Sequence, residues 1–135
     1  VVDVGLLGAM CRLNARTILE GNRLFEEFKG SLTEQYVLQQ LIVDSENDIF
    51  YWSAANATSE LDFVIQTDDC IVPLEVKAEE NLQAKSLKVF MQKYGVKFAV
   101  RTSMSGFREQ DWLTNFPLYN IGNLNQYLKE RYNSR

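Results

Sequence analysis

Apolar and polar residues alternate along 60–66 and again along 71–77, the two-residue period of half-buried strands, on either side of Thr67-Asp68-Asp69-Cys70. The two runs predict a hairpin with a tight acidic turn. An antiparallel pair joins residues whose numbers sum to a constant, so a turn centred between Asp68 and Asp69 sets Asp62 opposite Glu75 and Glu60 opposite Lys77. Successive side chains point to opposite faces. Asp62, Glu75 and Lys77 are therefore expected on one face, with Leu74 and Val76 on the other.

Before the hairpin, the pattern turns helical from Arg23: Phe25, Phe28, Leu32 and Tyr36 fall on one stripe, joined by Val37, Leu38, Leu41 and Ile42. Gly30-Ser31 interrupts this stripe, and Ser31-x-x-Glu34 has the form of a capping box, so a second helix is expected to begin at Leu32. Residues 1–10 predict a strand leading into a short helix, 12–22 a loop or frayed helix, and Asp48–Ser53 an aromatic-rich strand followed by a polar turn. Pro73 is expected near the start of an edge strand or at a bulge. After the hairpin, Asn81 caps a predicted helix that buries Leu82, Leu87, Phe90, Met91 and Tyr94, turns Lys85, Lys88 and Gln92 outward and stops at Gly95. A strand over 96–102 follows as its parallel partner, then a loop over 103–111, a last strand over 116–121 and a closing helix over 123–132. The order is helix, three strands, helix, strand, with extra pieces at both ends, which predicts a small α/β sheet with helices on its faces.

A chain of 135 residues with 46% apolar and 24% charged residues has the composition of one ordinary globular domain. No apolar run approaches the ~18 residues of a membrane span, so no membrane partner is expected. The start, Val-Val-Asp-Val-Gly, reads as a piece of a longer protein. With no histidine, and with Cys11 and Cys70 far apart, zinc ligation is not expected. The two cysteines read as buried thiols of a reducing compartment, hence a cytoplasmic protein. The net charge of −4 argues against a free-standing, non-specific nucleic-acid binder. Yet residues 82–108 carry six bases and no acid, while residues 1–81 carry fifteen acids and five bases. A basic block after an acidic site suits a phosphodiester substrate, and a solvated helix face with a sheet rim explains it equally well.

The chemistry concentrates on the hairpin. Carboxylates directly opposed at about 4.5–5.5 Å destabilise a sheet unless something compensates them. Water does so if the face is simply solvated. A hard divalent cation also does so: Mg²⁺ takes one or two carboxylates, keeps several waters and suits phosphate-handling sites. Lys77 would then orient an attacking water or offset charge developing on a phosphoryl group. Glu34 either caps its helix or adds a carboxylate to the site.

Glu34 on the first helix, Asp62 on the second strand and Glu75-Val76-Lys77 on the third, in the spacing Asp-x12-Glu-x-Lys, resemble the PD-(D/E)XK nuclease superfamily. With the helix signature Gly30-Ser31-Leu32-Thr33-Glu34, they look most like its archaeal Holliday-junction resolvase and restriction-endonuclease-like branches. The motif spans about residues 30–102 of the single domain. A wider resemblance runs through VVDVGLL, FKGSLTEQYVLQQL, FYWSAANATSELDFVIQ, IVPLEVKAEENLQAKSLKVF and FPLYNIGNL. These look like a C-terminal domain of unknown function that follows an AAA+-type P-loop ATPase in many bacterial and archaeal proteins.

The resemblance implies a restriction-endonuclease-like core, a mixed sheet flanked by helices, and an ATPase domain N-terminal to this chain. The chain has no Gly-x-x-x-x-Gly-Lys-Ser/Thr and so no ATP site of the P-loop kind. It further implies Mg²⁺ or Mn²⁺ held by Asp62, Glu75 and the Val76 carbonyl, with Lys77 as the catalytic lysine and Glu34 as an auxiliary carboxylate. Gln83 and Ser86 occupy positions where some members place polar site residues. Lys85, Lys88 and Ser86 are the expected nucleic-acid contacts. Two functions are expected on this basis: metal-dependent hydrolysis of DNA, or a non-catalytic DNA-recognition or regulatory module of the ATPase.

Overall fold

The computed structural model describes residues 3–12, 23–43, 47–56, 58–68, 70–78 and 84–133, with the backbone alone for 23–28 and 133. Helix α1 (Val4–Met10) is capped by Asp3, whose carboxylate accepts from the Leu6 N–H at 2.6 Å. Helix α2 (Arg23–Val43) leads to strands β1 (Asp48–Ser53), β2 (Glu60–Gln66) and β3 (Ile71–Val76). Helix α3 (Lys85–Tyr94), β4 (Ala99–Ser103), β5 (Arg108–Glu109), β6 (Leu113–Pro117), a 3-10 turn (Leu118–Asn123) and α4 (Leu124–Asn133) complete the fold. The strands form one six-stranded mixed sheet in the order β1-β2-β3-β4-β6-β5. β1, β2 and β3 pair antiparallel, β3, β4 and β6 parallel, and β5 antiparallel to β6. The predicted helix–three strands–helix–strand core, and the parallel return of β4 after α3, are present.

Alternation along the strands sends two apolar sets to opposite faces. Phe63, Ile65, Val72, Leu74, Val76, Val100 and Phe116 meet Val37 and Leu41 of α2 together with Ile121, Leu124 and Leu128. Leu61, Val64, Ala99 and Leu113 meet Leu87 and Phe90 of α3. Trp52 donates to the Tyr94 hydroxyl at 3.0 Å and stands edge-on to Phe90, tying β1 to α3. Gly95, at φ 68°, ends α3 in the left-handed conformation that the sequence reserved for it.

Several expectations need correction. Helix α2 runs unbroken through Gly30-Ser31, so no helix starts at Leu32 and the capping box does not form. One glycine costs a helix about 1 kcal/mol, which is less than the burial of Val37 and Leu41 returns to the same helix. Pro73 lies inside β3, opposite Val64. The Thr67 N–H to Cys70 carbonyl bond sets the phase of the hairpin. In that phase Pro73 has its nitrogen turned away from β2, and pairing with β4 begins only at Leu74. The missing N–H therefore breaks no ladder bond. The last strand is 113–117 rather than 116–121, because the chain turns after Pro117 into the 3-10 segment. The expected loop over 103–111 holds β5, whose two residues are too few to show a period. Tyr94 is half exposed, Cys11 is exposed and Cys70 is partly exposed, where burial was expected. The helix after the hairpin begins at Lys85, so its N-cap falls at Ala84 rather than at the expected Asn81. Residues 1–2, most of 12–22, and Asn81, Leu82 and Gln83 lie outside the described residues. No described helix is long and apolar enough to cross a membrane.

Candidate carboxylate–lysine site

The hairpin pairs as the sequence predicts, with Phe63 opposite Leu74 and Gln66 opposite Ile71, but the ladder ends at Phe63. Just there β2 is bulged against β1: Phe50 faces Val64 and Trp52 faces Leu61, so Asp62 and Phe63 together stand against Tyr51. A bulge re-aims side chains and resets alternation. It turns Leu61 to the α3 face beside Val64 while Phe63 stays on the α2 face. Asp62 is thereby directed at the neighbouring strand, and its Oδ2 accepts the Val76 N–H at 2.6 Å. The expected simple cross-strand opposition of Asp62 and Glu75 is thus replaced by a side-chain-to-backbone bond. An extended residue points its N–H and C=O to the same edge, so the Val76 carbonyl also lies on the Asp62 side.

Glu75 projects from β3 toward the α3 face and is buried, 6% exposed. One of its oxygens pairs with Lys77 Nζ at 2.9 Å; the other, Oε2, is buried without a hydrogen-bond partner among the described residues. Burial raises the Asp62 carboxyl above the usual aspartate range, the Val76 N–H opposes that rise, and the Glu75 charge adds to it. Glu34 is exposed along α2, yet desolvation by its neighbours also raises its carboxyl, with the Asp62 charge adding and Lys77 opposing. Glu34, Asp62, Glu75, Val76, Lys77 and Ser86 line one open cavity of about 390 Å³. Those six sequence-selected residues are brought together. Lys85 and Lys88 are not among them. They are exposed on α3 and line a different cavity, beside β4 and β6.

Sequence reasoning missed a polar row across the α3 face. Glu75, Arg101 and Asn115 stand in register on β3, β4 and β6, all buried. Arg101 Nε donates to Asn115 Oδ1 at 3.1 Å, and Ser103 Oγ donates to the same oxygen at 2.8 Å. The signal was present: Arg101 falls out of phase with Phe98 and Val100 in a strand that is buried on both faces.

Among the described residues no three His, Cys, Asp or Glu side chains converge into a ready-made metal cage. Asp62, Glu75 and Val76 nevertheless line one cavity, to which they offer carboxylate and carbonyl oxygens. These are hard oxygen ligands, one with an unpartnered buried oxygen, and they fit a cation that keeps part of its water shell.

Fold and site together define a mixed α/β domain carrying a carboxylate–lysine cluster where β2 and β3 part. Residues 29–121, more than half of the chain, match the family model described as a domain of unknown function (DUF4143), and the chain belongs to that family. Searches of curated proteins and of solved structures give no significant match.

Proposed function

We propose that this domain is a metal-dependent phosphodiester hydrolase of the PD-(D/E)XK type acting on DNA, working as the C-terminal part of a cytoplasmic P-loop ATPase. The observation that carries the reading is the shared cavity: Glu34, Asp62, Glu75 and Lys77 come from three elements and line one open space. Asp62, Glu75 and the Val76 carbonyl would hold Mg²⁺ or Mn²⁺, which when bound supplies Lewis-acid stabilisation of phosphoryl charge and an acidified water. Lys77, held beside the site by its pair with Glu75, orients a water for in-line attack and offsets charge on the phosphoryl oxygens. Glu34, its carboxyl raised, accepts a proton from that water directly or through a second one. Ser86 reaches the same cavity from α3 and positions a substrate phosphate. Lys85 and Lys88 continue the phosphate path along α3.

A second reading has its own observation. Lys77 pairs with Glu75, and the Arg101 and Glu75 charges act on each other, so Glu75 is compensated by the chain's own cations. Such a cluster also serves a non-catalytic DNA-recognition or regulatory module of the same ATPase. Calorimetric titration of Mn²⁺ and Mg²⁺ into wild type, Asp62→Ala and Glu75→Ala, followed by a DNA cleavage assay, separates the two. Binding lost in both variants, and cleavage lost in Asp62→Ala and Lys77→Met, is expected. Cleavage that survives either of those two substitutions overturns the catalytic reading.

A further inference from the structure

A second cavity of the domain is separate from the carboxylates. It measures about 780 Å³ and lies between the start of α3 and the β4–β6–β5 end of the sheet. Among the described residues four cations line it, Lys85, Lys88, Arg101 and Arg108, and no acid does. In a chain of net charge −4, that is a local inversion of sign.

Arg101 is the fixed member of this set. It is 4% exposed, and Asn115 holds its Nε. Asn115 is itself pinned, donating from Nδ2 to the carbonyls of Ser105 and Gly106 at 3.1 and 3.0 Å, so the β4–β5 loop, the guanidinium and β6 form one hydrogen-bonded unit. A buried cation held this way is pre-organised for an anion, because its rotamer freedom is already lost. Helix α3 adds a further attraction. Ala84 at its N-cap offers no side-chain acceptor to the first-turn N–H groups, and both Ala84 and Lys85 line the cavity. A bound anion would take the place of that cap. Trp112 and Phe107 supply ring faces in the same wall, Trp112 with Lys88 Nζ 5.5 Å from its centroid.

We propose that this basic cavity binds the phosphate of a nucleotide unit, with Arg101 as the fixed anchor, Lys88 and Arg108 as mobile cations at the rim and an aromatic wall to stack the base. The size falls within the range of small-ligand pockets, and cations beside ring faces are the combination that recognises a phosphorylated base. The site is independent of the metal reading, since none of its anchors is a carboxylate ligand. Its nucleotide comes either free or as one residue of a single strand.

The test is binding of a free 5′-deoxynucleotide and of a short fluorescent single-stranded oligodeoxynucleotide in excess EDTA, so that metal plays no part. Both are expected to bind, with Lys88→Ala/Arg108→Ala weakening them by about tenfold or more and Asp62→Ala leaving them unchanged. Comparable affinity for the two probes identifies a free nucleotide as the ligand; much tighter oligonucleotide binding identifies a strand. Arg101→Lys, checked for folding by near-ultraviolet circular dichroism, should also weaken binding. The exposed Lys88 and Arg108 keep the test decisive if that variant misfolds. No binding of either probe at millimolar concentration overturns the proposal, as does binding indifferent to Lys88→Ala/Arg108→Ala. Binding that appears only when Mg²⁺ replaces the EDTA and is lost in Asp62→Ala also overturns it, while supporting the carboxylate site.

Discussion

The Val76 N–H donates to Asp62 Oδ2 at 2.6 Å, at the step along the hairpin where a regular ladder would have given it the Leu61 carbonyl. The bond explains how a desolvated carboxylate is held at a point where two strands separate. It also fixes a sign. Because burial raises the Asp62 pKa, the fold binds a proton more readily than the unfolded chain does. Ionised Asp62 therefore destabilises the metal-free protein above its folded pKa. That penalty is relieved as pH falls through the folded value toward the unfolded one of about 4. Asp62→Asn, whose amide oxygen still accepts from Val76, is expected to be more stable than wild type at neutral pH, with the gain shrinking on acidification through that window. Urea denaturation of both proteins across the window checks this; a stability difference that is constant with pH would remove the linkage.

The Glu75–Lys77 pair leads to a second prediction, resting on the metal reading. A cation bound at Glu75 competes with Lys77 for the same carboxylate, so Lys77→Met is expected to bind Mn²⁺ at least as tightly as wild type. Cleavage should nevertheless fall by about a hundredfold or more, the usual effect of losing a charge-stabilising donor. Calorimetry and a cleavage assay on the same preparation read the two effects separately. Loss of metal binding along with cleavage would mean that Lys77 holds the site together rather than acting in it.

Much of this arrangement was legible in the sequence. The sum rule placed Phe63 against Leu74 because a two-residue apolar period leaves one register that buries both faces. Glu75-Val76-Lys77 were placed correctly at the end of β3 for the same reason. The bulge was not legible, since Leu61, Asp62 and Phe63 alternate in sequence as an unbroken strand would, and only pairing with β1 reveals the extra residue. Nor was the role of Arg101, whose partners Asn115 and Glu75 come from two other strands. The capping box at Ser31 misled because a local signal worth about 1 kcal/mol competes with the packing of a whole helix face. With α2 continuous, Glu34 caps nothing; it lines the cavity.

That continuity has its own test. Gly30 lies inside α2, and among the described residues a Cβ at this position meets no atom within 4 Å beyond its chain neighbours and the backbone of its own helix. Gly30→Ala is therefore expected to stabilise the domain by about 0.5–1 kcal/mol. Thermal or urea denaturation measures it directly. A neutral or destabilising result would argue for a break in the helix at this point.

Glu34 closes the set, because its two readings diverge in measurable ways. A cap residue would cost about 1 kcal/mol of stability on removal and leave the metal untouched. Inside a continuous helix, and exposed, Glu34→Gln should change stability by less than about 0.5 kcal/mol. The Asp62 charge raises the Glu34 carboxyl, so a metal bound beside them must displace the Glu34 proton on acidification, and removing that carboxyl should shift the acid limit of metal binding to lower pH. Mn²⁺ affinity measured against pH for wild type and Glu34→Gln reads that shift. A stability loss of a kilocalorie or more with an unchanged pH profile would return Glu34 to a purely structural role.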